Sequence, residues 1–471
     1  MLDFSTLWNT LSYAFANYGV YPLEVIIGLF IFLNIVLFFV RKPRLQLLVN
    51  MLLFAGLFAA SSFMYLYDIY PQTYILSINS FSLFFAMLFT VSMALVNIMA
   101  SGSDEYNAFA MFSSFILSGM YLVSFAGSFV ALIIGLELMV IPTVLSILAG
   151  KPKSIESAAK LFIMSSIAVA LFTFGAALIF GSSFSLSFAG IQQSQLTLMA
   201  TILIVAAVGF EASIFPFNLW VPDVYQGSQS YITGMLGGIN KKVGFVALFE
   251  IAFLALRSYS GTFTTIFYAL AILTMFYGNI IALAQKNVKR MLAYSSISQA
   301  GYILIGFAVA TNYSVTASVF QIFAHAFMFI GALAVIAHME MQNRHEVNDY
   351  IGLYSENKFA AIALTIMFIS MIGTPLTAGF IGKFLLFSSA VYHNMLPLAV
   401  LAITASVISV YYYLKVIMAM FTNKEFSKKS RMRINLLIVA LICLIVIVAV
   451  GIYPNPVISL AGSAASALNM T

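Results

Sequence analysis

The chain has 471 residues, of which 62% are hydrophobic and 8% charged, with a mean hydropathy of +1.04. A water-soluble domain carries about 25% charged residues, so a soluble enzyme is excluded and an all-α integral membrane protein is expected. The net charge of +6 does not indicate a nucleic-acid partner, because the basic residues sit in loops between apolar runs.

A bilayer core about 30 Å thick takes roughly 20 apolar residues as a helix. Runs of that size predict fourteen spans: 22 to 40, 46 to 67, 80 to 100, 108 to 126, 128 to 149, 158 to 180, 196 to 217, 231 to 254, 262 to 284, 291 to 311, 315 to 340, 359 to 388, 396 to 421 and 434 to 453. The first twenty residues, MLDFSTLWNTLSYAFANYGV, hold no Lys or Arg. They lack the basic start of a cleavable signal, and span 1 is expected to be retained.

Basic residues cluster after odd-numbered spans: Arg41, Lys42 and Arg44 after span 1, then Lys151, Lys153 and Lys160 after span 5. Lys286, Lys289 and Arg290 follow span 9, Arg344 and Lys358 follow span 11, and Lys424, Lys428, Lys429, Arg431 and Arg433 follow span 13. Even-numbered exits hold only Arg257. Because Lys and Arg concentrate in cytoplasmic loops, the alternation predicts a multi-pass protein of the cell membrane with both termini outside and the basic loops as solvated ends. Cys443 stands alone in span 14, which leaves no disulfide framework and no cysteine metal site. Its expected role is packing.

No long Ser/Pro/Gly linker interrupts the series, so residues 1–471 read as a single membrane domain. Within it, residues 1–107 carry spans 1 to 3, 108–254 spans 4 to 8, 262–421 spans 9 to 13, and 434–471 span 14 and a tail. Spans 7 and 12 contain breakers: Pro216 in SIFPFNLW, and Gly373 with Pro375 in ISMIGTPLTAGFIGK. Proline removes a backbone donor, and freed backbone groups at membrane depth are tolerated only against protein or a water-filled cavity. Interrupted helices at corresponding positions of two halves predict two inverted five-helix repeats, spans 4 to 8 and spans 9 to 13. The alternative is a pair of kinks without function.

Ionisable residues inside the spans are the candidate functional set. Glu137 in FVALIIGLELMVIP lies about 13 Å into span 5 at 1.5 Å per residue. Glu211 follows the apolar run LTLMATILIVAAVGF, Lys241 and Lys242 lie midway along span 8, His325 is in span 11, and Lys383 follows the break of span 12. A charge at the bilayer centre costs about 2.5 to 3.5 kcal/mol, so these residues must pair with one another or line a hydrated path. A lysine that alternately has and lacks a carboxylate neighbour is a proton switch. The competing readings are a static ion pair for Glu137 and Lys383, an interface contact for one member of the lysine doublet, and a hydrogen-bonded core residue for His325. Lys415 and His338 lie nearer span ends, where they reach water. Walker, Rossmann, HExxH and nucleophile-elbow motifs are missing, and with 4 His and 1 Cys haem or iron–sulfur ligation has almost no candidates. The chain is expected to carry protons or ions and to hold no metal, cofactor or redox centre of its own.

The stretch GNIIALAQKNVKRMLAYSSISQAGYILIGF (278 to 307), with PFNLWVPDVYQG, GLELMVIP and PLTAGFIGKF, closely resembles the antiporter-like subunits of NADH:quinone oxidoreductase, respiratory complex I. The similarity covers spans 4 to 13. SIESAAKLFIMSSIAVALFTFGAALIFG and VYYYLKV are most similar to the N-type subunit. D-type subunits of multisubunit sodium/proton antiporters and subunits of membrane-bound hydrogenases share most of the motifs. The resemblance implies a translocase subunit that moves protons while electrons pass through other subunits, which would hold the quinone, iron–sulfur clusters and flavin. Its implied partners are other membrane-arm subunits and the lipid bilayer, with no nucleic acid.

In that family a glutamate on span 5 pairs with a lysine on span 7, a lysine on span 8 lies midway, and a lysine or glutamate on span 12 connects to the outside. By motif, Glu137, Lys241 and Lys383 match the first, third and last. The span 7 lysine is replaced by Glu211, and a titratable histidine of the same helix by Asn218. Two readings follow. Either Glu211 has become the partner of Lys241 or Lys242, or the subunit no longer pumps and serves as a structural member of the membrane arm.

Overall fold

A computed structural model describes residues 22–150, 154–424 and 430–468. The expectation about the first twenty residues, and the positions of Lys151, Lys153, Lys428 and Lys429, lie outside the described residues. Among the described residues the chain is all-helical, with isolated β-bridges and no extended strand.

Helix occupies every expected span. The first six are α1 (Pro22–Val40), α2 (Pro43–Leu66), α3 (Ser80–Ala100), α4 (Tyr106–Ser124), α5 (Phe129–Leu148) and α6 (Ser154–Ser183). Span 7 is α7 (Gln195–Glu211) and the break that follows it, and the short α8 (Val221–Gly227) lies beyond the span. Span 8 is a composite rod: α9 (Ser230–Met235), a π-helical turn at Leu236–Asn240, α10 (Lys241–Glu250) and a second π-helical turn at Ile251–Ala255. Then come α11 (Ser260–Leu283), α12 (Val288–Val309), α13 (Asn312–Glu340) and the short α14 (Leu353–Glu356). Span 12 divides into α15 (Lys358–Ile372) and α16 (Ala378–Tyr392), and α17 (Leu396–Phe421), α18 (Ile434–Ile452) and α19 (Asn455–Ser466) complete the bundle. By length and composition, 11 helices of the described residues can cross a membrane uninterrupted. Spans 7, 8 and 12 are carried by broken or composite helices. The tail helix α19, unexpected from the sequence, starts at a Pro in its first turn and packs on α13 and α3.

Side chains from the loops fix many of the helix starts. Asn79 and Thr311 close capping boxes with Ser82 and Ser314, and Ser128, Ser194, Asn287, Asn357 and Thr377 accept from first-turn amides. Each cap satisfies a backbone donor that an apolar solvent would leave unpaired.

Hydrogen bonds gather the loops after odd-numbered spans at one end of the bundle. Gln46 donates to the Asn107 carbonyl, Arg433 to Gly102, Gln342 and Asn357 to Ser430, and Arg290 to Asp223. The opposite end collects the remaining loops, as in Ser80 to Ser463, Asn312 to Ser466, and Ser194 to Tyr259. The alternation read from the charges is therefore a feature of the fold. One expectation fails: Lys289 is not a solvated loop end but is 3% exposed, because Glu340 from the end of α13 lies 2.7 Å from its ammonium.

α12 and α13 form the centre and are buried nearly all round, whereas α1, α2, α6, α17 and α18 turn apolar faces outward. Close approach is bought by glycine where α4 meets α5. A Cβ on Gly119 of α4 would lie 2.6 Å from the Gly135 carbonyl of α5, and one on Gly135 would lie 2.9 Å from the Val123 amide. This small-residue contact sets the depth of Glu137, two residues further along α5. Gly135→Leu should force α4 and α5 apart at a cost of about 1–3 kcal/mol. A lowered thermal midpoint of the detergent-solubilised protein would register it, and an unchanged midpoint would contradict this packing.

Candidate functional site: a buried polar row between two helix breaks

The first break follows α7. Its last residue is Glu211, after which Ser213 takes a positive φ of 58° and the Phe215–Pro216 peptide is cis. The loop is held by neighbours: the Trp220 indole donates to the Phe210 carbonyl (3.3 Å) and the Phe215 amide donates to Thr274 of α11 (3.2 Å). α10 crosses directly against the break, since a Cβ on its Gly244 would meet the Ala212 amide nitrogen at 2.4 Å.

Glu211 is buried and faces two small cavities. One is walled by Ile133 and Leu136 of α5 and Phe172 of α6; the other also touches Thr143, Asn240 and Lys241. Glu137, half-buried on α5, stands within electrostatic range of Glu211. Neither carboxyl makes an ion pair among the described residues. Asn218, in the same break, is buried with both side-chain polar atoms unpartnered.

Span 8 supplies the lysines. Its first π-helical turn contains Gly237 and Gly238, which let Phe329 and Ile330 of α13 press against the backbone: a Cβ on either glycine would lie 2.3 Å or 2.6 Å from those side chains. Such turns re-aim the residues that follow. Asn240 reaches Thr143 of α5 at 2.9 Å. The Lys241 ammonium donates to the carbonyl (2.6 Å) and hydroxyl (3.1 Å) of Ser296 on α12, and Lys242 lies 2.6 Å from His325 Nδ1 on α13. Both lysines are 1% exposed. The doublet thus divides between two central helices, and neither member reaches an interface.

The second break follows α15, which ends at Gly373 with φ 96°. Only a residue at ease with positive φ fits there. The break leaves the last carbonyls of α15 without helical donors, and Lys383 of α16 supplies them. Its ammonium donates to the Met371 carbonyl, the Ile372 carbonyl and the Ser406 hydroxyl, each at 2.9 Å. All three of its protons are used. The ammonium also sits 4.7 Å from the centroid of the Tyr302 ring, a cation–π contact.

Residues that the search for charges missed join these groups. Gln299 of α12 donates to the Met371 carbonyl that Lys383 also uses (3.2 Å), and Gln321 of α13 donates to Gln299 (2.9 Å). One turn along α13 stands His325. Gln321 Oε1, which lies against Gly382 of α16, and His325 Nε2 are both buried and unpartnered. The signal was present in the sequence as polar residues at helical spacing, Gln321 with His325 and Ser295, Ser296, Gln299 with Tyr302. Among the sequence candidates, then, the fold brings Lys241, Lys242, His325 and Lys383 into one central row. Glu211 stands apart from them, lining a cavity with Lys241 but making no ion pair, and Glu137 lies near Glu211 without lining that cavity. Of the peripheral candidates, His338 is buried against Ser430 and Gln342, and Cys443 is a buried free thiol packed where α18 meets Gly331.

An all-helical bundle with two interrupted helices and a buried row of lysines and carboxylates is a multi-span membrane protein of the antiporter-like class. The family description NADH:quinone oxidoreductase/Mrp antiporter, transmembrane, matches residues 126–409, and the chain belongs to this family. It is 34% identical to the F(420)H(2) dehydrogenase subunit N of Methanosarcina mazei over 88% of each chain. It is 35% identical to the NADH-quinone oxidoreductase subunit N of Moorella thermoacetica over 82% of this chain and 85% of that one. A subunit chain of respiratory complex I from Thermus thermophilus superposes with a TM-score of 0.82 at 26% identity, covering 93% and 99% of the two chains.

At the end that gathers the basic loops, Asp223 of α8 lies outside the spans and binds Lys160 (2.8 Å) and Arg290 (2.6 Å). Partial desolvation opposes ionisation, but the hydrogen bonds and charges of Lys160 and Arg290 outweigh it and hold the carboxyl below the usual carboxylate range. A depressed carboxylate stabilises the fold above its unfolded pKa, and that contribution disappears as pH falls through the lowered folded value. Asp223→Asn should therefore lower the thermal midpoint at pH 7 and shrink the gap to the wild type in acid. Parallel wild-type and variant curves across that range would contradict the assignment.

Proposed function

We propose that this chain is an N-type antiporter-like subunit of a complex I-like quinone oxidoreductase, and that it passes protons across the cell membrane while electrons move through redox groups in other subunits. The subunit names of its relatives support the first part. The polar row supports the second. The observation that carries it is the pair of hydrogen-bonded groups Lys242–His325 and Gln321–Gln299–Met371 carbonyl–Lys383, whose members His325 and Gln321 stand one turn apart on α13 at the centre of the bundle. Water entering between the two groups would carry a proton from the Lys242–His325 pair towards Lys383.

The matching breaks of spans 7 and 12 support reading spans 4 to 8 and 9 to 13 as inverted repeats. The basic loops at one end support an orientation with both termini extracytoplasmic. Each lysine of the row is held by neutral oxygens or an imidazole, so an ammonium there is solvated without being locked to a carboxylate. That arrangement favours transfer, since a tight buried ion pair resists giving up its proton. Glu211 and Glu137 are the carboxylates that approach the row, and the cavity shared by Glu211 and Lys241 is where a proton passes between them.

The second reading, a non-pumping structural subunit, draws on the reversed charge at Glu211 and the unpartnered Asn218. Replacing Lys383 by Met, or Glu211 by Gln, in the purified multisubunit complex in vesicles separates the two. Translocation predicts a lower proton-to-electron ratio with electron transfer still running, and an unchanged ratio in both variants would establish the structural role. Glu211→Lys should be tolerated, because it would set a lysine beside Glu137 at the end of α7. A collapse of assembly in that variant, read by copurification, would show that the site requires an acid.

A further inference from the structure

Glu250 is the last residue of α10, nine positions beyond Lys241, and it is 2% exposed. It makes no hydrogen bond and no ion pair among the described residues, and its Oε2 is fully enclosed. Its neighbours in the chain belong to an apolar cluster: Phe249 stacks on Phe307 of α12 at 4.2 Å and meets Phe81 of α3 at 5.6 Å, and Phe253 lies 5.8 Å from Phe307. A permanent carboxylate in such a place is costly. Among the described residues no cation pairs with it.

Three features of placement distinguish Glu250 from the central row. At 1.5 Å per residue it stands about 13 Å further along the rod than Lys241. At 100° per residue it falls on the opposite side of α10 from Lys241 and about 80° from Lys242. Directly after it comes the second π-helical turn, Ile251–Ala255, a local rewinding of the kind that marks functional positions. Beyond that turn the chain reaches the loop of Arg257 and Tyr259, at the end of the bundle opposite the basic loops.

We propose that Glu250 is a second proton-holding site on span 8, between the lysine row and the extracytoplasmic end. This rests on the translocation reading above. The carboxylate accepts a proton carried by water from the row, forming an O–H bond at Oε2, and the same bond breaks as the proton leaves to water at the 256–260 loop. No electron moves and no other bond changes. The neutral acid fits its apolar surroundings, so a proton rests there, and the π-helical turn supplies the local give that admits water on either side.

The test uses the purified multisubunit complex in vesicles, with Glu250→Gln, Glu250→Asp and Lys383→Met compared with the wild type. The expected results are electron transfer retained in Glu250→Gln, a fall in its proton-to-electron ratio, and recovery of that ratio in Glu250→Asp. Redox-induced infrared difference spectra should show the carbonyl stretch of a protonated carboxyl that is lost in Glu250→Gln and shifted in Glu250→Asp. A wild-type ratio and an unchanged spectrum in Glu250→Gln, with a reduced ratio in Lys383→Met, would overturn this site and leave the translocation reading intact. Wild-type ratios in both Glu250→Gln and Lys383→Met would overturn both. Should Glu250→Gln fail to assemble, the Glu250→Asp spectrum decides: a shifted band supports the site and an unshifted one overturns it.

Discussion

Two helices stop inside the bundle, and the rest of the interior depends on how their freed backbone groups are satisfied. An apolar solvent offers no hydrogen bonds, so each loose carbonyl or amide must find a protein partner or water. At the second break the partner is a lysine: the Lys383 ammonium closes the carbonyls of Met371 and Ile372. The carbonyl end of a helix also carries the negative pole of its dipole. Cation and helix end therefore solve each other's burial, and a charge that would be costly alone becomes part of the backbone's hydrogen bonding.

The first break is solved differently. Its backbone is closed by neutral donors, the Trp220 indole taking the Phe210 carbonyl and Thr274 bonding the Phe215 amide. Glu211 stands at the same carbonyl end of α7, where the dipole opposes negative charge and Glu137 adds repulsion. The two breaks differ in backbone and carry opposite charge: position 211 ends the helix before its break, whereas Lys383 lies on the helix after its own. The Glu211 carboxyl lines a cavity with Lys241 and leaves the helix end to neutral groups.

The spans were legible because hydrophobic length is a local property and each run is long. Proline and glycine marked both breaks for the same reason. What eluded the sequence depends on distant partners. Lys289 reads as part of a basic loop, and only the arrival of Glu340, 51 positions later, buries it. α19 was missed because NPVISLAGSAAS is short and rich in small residues, and its helix is stabilised by packing on α13 and α3. Glu250 was in principle readable, since the insertion cost that singled out Lys241 applies to any charge within span 8. Gln299 and Gln321 escape a search confined to charges, although both lie in the central polar row.

The use of amides there follows from the same energetics. A row built only of lysines would accumulate like charges: His325 already lies in the field of Lys241, Lys242 and Lys383 together. Each added ammonium would raise the cost of every other in a medium that screens poorly. Gln299 and Gln321 extend the hydrogen-bonded series at no net charge, and each offers both a donor and an acceptor. One acceptor, Gln321 Oε1, lies against Gly382 of α16 and is left without a donor. A row so built adds no charge beyond its lysines and histidine, and the adjacent lysines of the doublet are kept apart by bonding to different helices, Lys241 to Ser296 of α12 and Lys242 to His325 of α13.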